Sequence, residues 1–192
     1  ASLAAEQFHT IVWNEWSLYP TFNINYAPAP GNVWQLSLSS DKSYPDYWAT
    51  QDAVSYMGGG YSEIHGNPYL KPEINYQLQL TYVLNSKYMF NAWYSHTKDN
   101  ATQTLYQSPE RLVEIYKYFN FDFEQQAGVQ AVVPFAIGRW LKSRFTLTGV
   151  YDRQKDSDFW DIPFDRKAYY AMLNMNHTVT LFSHPDINLI VS

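Results

Sequence analysis

The chain has 192 residues with a formal net charge of −5 and no cysteine, and it is 46% hydrophobic against 16% charged. That length suits one domain and that apolar share excludes a disordered chain, while a pI near 5.4 without a basic stripe excludes nucleic acid as the main partner. The missing cysteines remove disulfide frameworks, thiol nucleophiles and Cys-type zinc sites, and no apolar run approaches the roughly 20 residues of a membrane helix.

Along the chain the dominant period is two, the period of a strand whose side chains point alternately to opposite faces. A weak strand signal covers residues 9–18. Phe22, Ile24 and Tyr26 then alternate with Asn23 and Asn25, and Trp34, Leu36 and Leu38 with Gln35 and Ser37, across a turn at Ala29-Pro30-Gly31-Asn32. A long polar stretch over residues 47–69 comes next. The clearest pattern follows: Ile74, Tyr76, Leu78, Leu80, Tyr82 and Leu84 alternate with Asn75, Gln77, Gln79 and Thr81. After the Asn85-Ser86 turn, Tyr88, Phe90, Ala92 and Tyr94 continue it. Residues 99–110 read as a second long connection, and weaker strands are expected at residues 112–119 and 125–133. Phe145, Leu147, Gly149 and Tyr151 alternate again, residues 153–166 read as a third connection, and a strand from Ala171 to Leu181 is interrupted by His177. A final run from Ile187 to Val191 follows a His184-Pro185-Asp186 turn and reads as a strand cut in its middle.

The expected fold is therefore all-β: an antiparallel up-and-down meander of about ten strands, with short turns at one end and long connections at the other. The polar face is rich in uncharged Asn, Gln, Ser and Thr, and the apolar face carries Tyr and Trp near strand ends, where rings suit a membrane interface. Periodicity alone leaves two architectures open, a membrane barrel and a soluble β-sandwich that binds carbohydrate through aromatic loops.

The segment Gly66-Asn67-Pro68-Tyr69-Leu70-Lys71-Pro72-Glu73, placed just before the Ile74 strand, resembles the "GNP-x-LKPE" signature of the barrel of TonB-dependent outer-membrane receptors. The order Trp16-Ser17-Leu18-Tyr19-Pro20, Phe22 to Tyr26, Trp34, and Tyr44-Pro45-Asp46-Tyr47-Trp48 is similar to the Bacteroidetes-type outer membrane protein β-barrel family, although the usual Arg before Pro is replaced by Tyr44. Read physically, Asn67-Pro68 forces a turn, Leu70 anchors a loop base, and Lys71-Pro72 stops the preceding structure before the strand. The motif is expected to mark the fold and to do no chemistry. The resemblance implies a late or internal piece of a transmembrane barrel of about 22 strands, residues 1–192 forming one incomplete barrel segment without the plug. It implies a bacterial outer-membrane location, with lipid, the remaining barrel and the plug as partners, and TonB engaged through an N-terminal region outside this chain. The function implied is binding and import of a nutrient, whether an iron chelate, a cobalamin-type cofactor or an oligosaccharide. An adhesin or purely structural barrel is the further alternative.

Little in the sequence suggests catalysis. His9, His65, His96, His177 and His184 show no metal-ligand spacing, so neither a metal nor a cofactor is expected. Asp152, Asp156, Asp158, Asp161 and Asp165 read as a solvated extracellular loop. No Gly-x-Ser-x-Gly elbow and no phosphate-binding glycine loop occurs, and Gly58-Gly59-Gly60 reads as loop flexibility. The candidate ligand contacts are loop aromatics that can stack on a glycan or an apolar ligand: Tyr44, Tyr47, Trp48, Tyr56 and Tyr61. The apolar positions from Ile74 to Leu84 are expected to face lipid, and Asn75, Gln77, Gln79 and Thr81 the lumen.

Overall fold

The computed structural model describes residues 16–107, 109–180 and 188–191, the last of these by backbone alone. Ten strands form one sheet: β1 Phe22–Ala29, β2 Asn32–Ser43, β3 Val54–Met57, β4 Ser62–His65, β5 Glu73–Leu84, β6 Tyr88–Gln107, β7 Glu114–Ile137, β8 Leu141–Phe159, β9 Ile162–Thr180 and β10 Asn188–Val191. Eight of them follow the order β1-β2-β5-β6-β7-β8-β9-β10, each antiparallel to its neighbour. Among the described residues β1 and β10 each have a neighbour on one side only, so the described sheet is an open arc of wall. No second sheet packs on it among the described residues, which sets aside the sandwich.

The turns at one end are tight because their residues accept left-handed backbone. Asn85 and Ser86 have φ of 53° and 50°, the pairing that type I′ hairpins require. The β1–β2 and β5–β6 turns are tied together by Ser86 N donating to Gly31 O at 2.7 Å and Asn85 N donating to Asn32 Oδ1 at 2.9 Å. The β7–β8 turn lies at the same end.

Residues paired across a ladder share a face, so the register sorts the whole sheet. One set of rungs is apolar: Trp34–Tyr82–Phe90–Ala131–Leu147–Leu173, then Leu36–Leu80–Ala92–Val129–Gly149–Ala171, then Leu38–Leu78–Tyr94–Ala127–Tyr151–Tyr169. Most of the larger of these side chains stand open on the outside of the sheet: Leu147 is 56% exposed, Val129 62% and Tyr169 78%. Among the described residues the buried hydrophobic side chains are few, namely Ala49, Leu70, Ile74 and Phe121, and of these Leu70 alone is fully enclosed. A water-soluble chain of this length would bury far more, so the apolar face is the part that lipid covers.

The opposite face is polar and internally bonded. Thr81 donates to Asn91 at 2.8 Å, Asn91 to Gln130 at 3.2 Å, and Gln130 to Thr148 at 3.1 Å, a chain running from β5 to β8 along one rung. One rung away Trp93 lies flat across Gly128 and donates Nε1 to Gln126 at 3.3 Å. Only glycine leaves room for that ring, since a Cβ on Gly128 would meet Trp93 Cζ2 at 2.1 Å.

The apolar band has a sharp upper edge. The rung above Leu38–Leu78–Tyr94 is Ser40–Tyr76–His96–Gln125–Arg153–Lys167, and the next is Lys42–Ile74–Lys98–Phe123–Lys155–Asp165. Below that edge the outward positions of β8 run from Tyr151 to Leu141, close to the roughly 9–11 residues with which a tilted strand crosses a bilayer. Ile74, expected to face lipid, is instead 4% exposed and flanked by two lysines above the band. His177 sits in the band on the outward face and is satisfied by Ser143, with Nδ1 2.8 Å from Oγ.

Two of the three expected long connections are largely strand, and the gap between two expected strands closes. β6 extends to Gln107, residues 112–119 and 125–133 merge into β7, and β8 and β9 continue through residues 153–166 with only Trp160-Asp161 between them. Above the band both faces meet water, so polar residues occupy both and the ladder persists without its alternation. The expected strand at residues 9–18 shows no strand at 16–18, and its earlier part lies outside the described residues. The His184-Pro185-Asp186 turn also lies outside them.

Candidate functional site

The one long connection that remains, between β2 and β5, is itself ordered. It contains a 3-10 turn at Tyr47–Thr50, the β3–β4 hairpin, and a second 3-10 turn at Gly58–Gly60. β4 pairs in parallel with Glu114 to Lys117 of β7, on the edge that β8 leaves free. The connection therefore folds across the sheet from β5 to β7. It crosses on the polar face, because its contacts are with Tyr118 and Asn120, which share a face with Glu124, Gln126 and Gln130 along uninterrupted β7.

The motif residues make this crossing. Gly66 approaches the backbone of Gln51 so closely that a Cβ would fall 1.8 Å from its carbonyl oxygen, and its N–H donates to Ala53 O at 3.0 Å. Asn67 donates Nδ2 to Tyr118 O at 2.8 Å and N to Ala49 O at 2.6 Å, while its Oδ1 accepts from Tyr69 N at 3.1 Å in an Asx turn. Leu70 is fully buried beneath the turn. Lys71 N donates to Asn120 Oδ1 at 2.7 Å, and Asn120 Nδ2 donates back to Lys71 O at 3.0 Å. Glu73 Oε2 accepts from Ala101 N of β6 at 3.2 Å. Pro68 and Pro72 lack an N–H to donate, so the bonds that hold the motif fall on the residues around them.

Beside the crossing lies a cavity of about 190 Å³ lined by Tyr44, Trp48, Leu70, Lys71, Glu73 and Tyr118, among others. Trp48 and Tyr118 meet edge to face with centroids 5.6 Å apart. Of the five candidate aromatics the structure brings Tyr44 and Trp48 to this cavity, whereas Tyr47, Tyr56 and Tyr61 stand exposed elsewhere on the connection. Tyr118, Ala101 and Asn120 belong to strands far away in sequence, and no local pattern pointed to them.

A second anchor holds the hairpin. Glu63 is 4% exposed, yet its carboxylate receives Arg111 at 3.0 and 3.4 Å and lies 2.8 Å from His65 Nε2. The His65 hydrogen bond, with the Arg111 guanidinium behind it, holds the Glu63 carboxyl below the usual range against the opposing effect of burial.

The aspartates expected in a loop sit on two strands and a turn. Asp152 and Asp156 are buried on the polar face, Asp158 N donates to Asp156 Oδ1 at 2.8 Å, and Asp161 is in the β8–β9 turn. Asp165 accepts a two-pronged bond from Arg153 at 2.9 and 2.8 Å, which lowers its pKa. Glu124, above the band on the polar face, accepts from Asn100 and from Gln154, and burial followed by the negative charge of Asp152 raises its pKa. Among the described residues no three His, Asp or Glu side chains gather into a metal-ligand set. The arrangement can hold a ligand against aromatic and amide groups.

The sequence matches the family described as "Outer membrane protein beta-barrel family" over residues 6–191. No curated protein matches it. Among solved structures, the siderophore receptor PirA from Pseudomonas aeruginosa superposes with a TM-score of 0.55 at 10% identity, covering 86% of this chain and 36% of that one. A mutant form of the ferric enterobactin receptor PfeA from the same organism gives a TM-score of 0.47 at 12% identity, covering 86% and 33%. PirA from Acinetobacter baumannii gives 0.37 at 11% identity, covering 86% and 35%. The likeness of fold rests on the first of these, and the chain spans about a third of the length of these receptors.

Proposed function

Since the chain belongs to the outer membrane protein β-barrel family of the bacterial outer membrane, we propose that it forms wall and extracellular loop of a TonB-dependent receptor that binds a nutrient and imports it. Its role is binding and passage, with no catalysis. The plug, the rest of the barrel and the TonB-contacting segment are supplied by parts of the protein outside this chain. The observation that carries the reading is the connection between β2 and β5, folded over the polar face and holding Tyr44 and Trp48 beside Tyr118. A loop laid over the lumenal side of a wall is placed to meet a solute before it enters the barrel.

Among the nutrient classes, a ferric chelate suits the cavity best. Planar aromatic or amide-rich chelator arms can stack on Trp48 and Tyr118 and accept from Lys71, and the fold neighbour PirA from Pseudomonas aeruginosa is named as a siderophore receptor. The test is tryptophan-fluorescence titration of the protein in detergent with a ferric catecholate, cobalamin and an oligosaccharide mixture. Quenching by the ferric catecholate that is lost in Trp48→Phe/Tyr44→Ala supports the reading. Saturable binding of cobalamin or sugar alone would move the nutrient class, and no binding by any of the three would remove the receptor reading.

A further inference from the structure

We infer that the outward face of β6 to β9, directly above the apolar band, is a binding site for phosphate-bearing lipid headgroups. The inference rests on the membrane location and not on the receptor reading. Lys98, Arg153, Lys155 and Lys167 occupy two neighbouring rungs of the ladder on the lipid-facing side, and Lys42 extends the same rung onto β2. With strands about 4.8 Å apart, the four span about 14 Å across the wall, the width of one or two headgroups.

This clustering runs against the chain's own net charge of −5. Within the patch Asp165 engages Arg153, and Asp99 lies 3.7 Å from Lys98, whose side chain stays 55% exposed. Lys155 and Lys167 form no salt bridge among the described residues. Arg153 is also held over the Phe123 ring, 5.5 Å from its centroid, which fixes the direction of its guanidinium. The rung directly beneath holds Tyr94, Tyr151 and Tyr169, the residue type that settles where acyl chains meet headgroups.

The height of the patch selects its occupant. A soluble anion would find cations on any wet surface, but here they begin where the apolar rungs stop, at the headgroup level just above the part of this face that the bilayer covers. Long cationic side chains there lay their methylenes along apolar surface and carry the charge to the phosphate level. Lysine and arginine side by side suit a phosphomonoester, which accepts several charge-assisted hydrogen bonds at once.

The test is native mass spectrometry of the purified, delipidated protein in detergent, titrated with dipalmitoyl phosphatidic acid. Phosphatidylcholine of the same chain length and inorganic phosphate are run as separate arms. The expected result is retention of phosphatidic acid over phosphatidylcholine, reduced about tenfold or more in the triple variant Lys98→Gln/Lys155→Gln/Lys167→Gln. Retention should be kept in the corresponding triple Lys→Arg variant, which guards against a folding artefact, and in Lys142→Gln/Arg144→Gln on the polar face. The inference is overturned if the glutamine variant binds as the parent does, or if the polar-face variant loses as much. It is equally overturned if millimolar inorganic phosphate displaces the lipid completely, which would mark a site for free anions.

Discussion

Leu80→Arg compared with Gln79→Arg separates the two faces of the wall at a single peptide unit. Leu80 lies on an apolar rung between Leu36 and Ala92, whereas Gln79 points to the polar face between Ser37 and Trp93. Leu80 is four residues below Tyr76, where the outward face turns polar. At about 3.3 Å per residue and a tilt of about 45°, that is roughly 9 Å of depth, near the middle of an apolar band about 25 Å tall. An arginine there costs about 2–4 kcal/mol, and about 3 kcal/mol lowers the folded-to-unfolded ratio about a hundredfold. Gln79→Arg meets water in the lumen and should stay within about 0.5 kcal/mol of the parent. Urea titration of folding into phosphatidylcholine vesicles, followed by tryptophan emission and by the gel shift of folded barrel, measures both. Equal losses at the two positions, or a larger loss at Gln79, would refute the assignment of faces.

Gly128→Ala forces the Trp93 ring off its seat and should cost about 1–3 kcal/mol in the same titration, with the loss relieved in the Gly128→Ala/Trp93→Ala double variant. Asn67→Ala removes the bonds to Tyr118 O and Tyr69 N and should loosen the β2–β5 connection by about 1–3 kcal/mol, seen as faster proteolysis within residues 47–71 with the wall unchanged. Glu63 has a pKa below its ordinary value, so its contribution is present above that ordinary value and is lost as pH falls through the lowered one. Hydrogen exchange in β3 and β4 should stay slow at neutral pH and quicken only below the ordinary glutamate range; loss of protection already near neutral pH would refute the anchor. Glu124 has the opposite sign: its raised pKa penalises the fold once the carboxyl ionises, so Glu124→Gln should stabilise the wall at neutral pH and lose that advantage in acid.

The sequence was legible where its two faces meet different solvents. From Ile74 to Leu84 lipid on one side and water on the other enforce strict alternation, and the strand found there matches the reading to within one residue. Above the band that contrast vanishes. Arg153, Gln154, Lys155 and Asp156 are all polar because both faces are wet, and the ladder pairing them with β7 and β9 leaves no mark on composition. Asn120, Asp122 and Glu124 looked like a break between two strands, although Phe119, Phe121 and Phe123 keep the period between them. The site was less legible than the wall. Tyr44 and Trp48 could be singled out as loop aromatics, but the cavity they line is completed by Tyr118 from β7. The Glu63–Arg111 pair joins positions 48 residues apart, and the motif's partners, Tyr118 and Asn120, are chosen by a chain crossing that no local pattern encodes.

The most direct test of the membrane-wall account uses the absence of native cysteine. Single cysteines placed one at a time from Gln77 to Tyr82 and labelled with a small fluorophore would be read in bilayers against a lipid-borne quencher and a water-soluble one. The account predicts strong lipid quenching at positions 78, 80 and 82 and strong aqueous quenching at 77, 79 and 81. Uniform quenching by the aqueous agent along the whole strand, or alternation with the opposite phase, would contradict it.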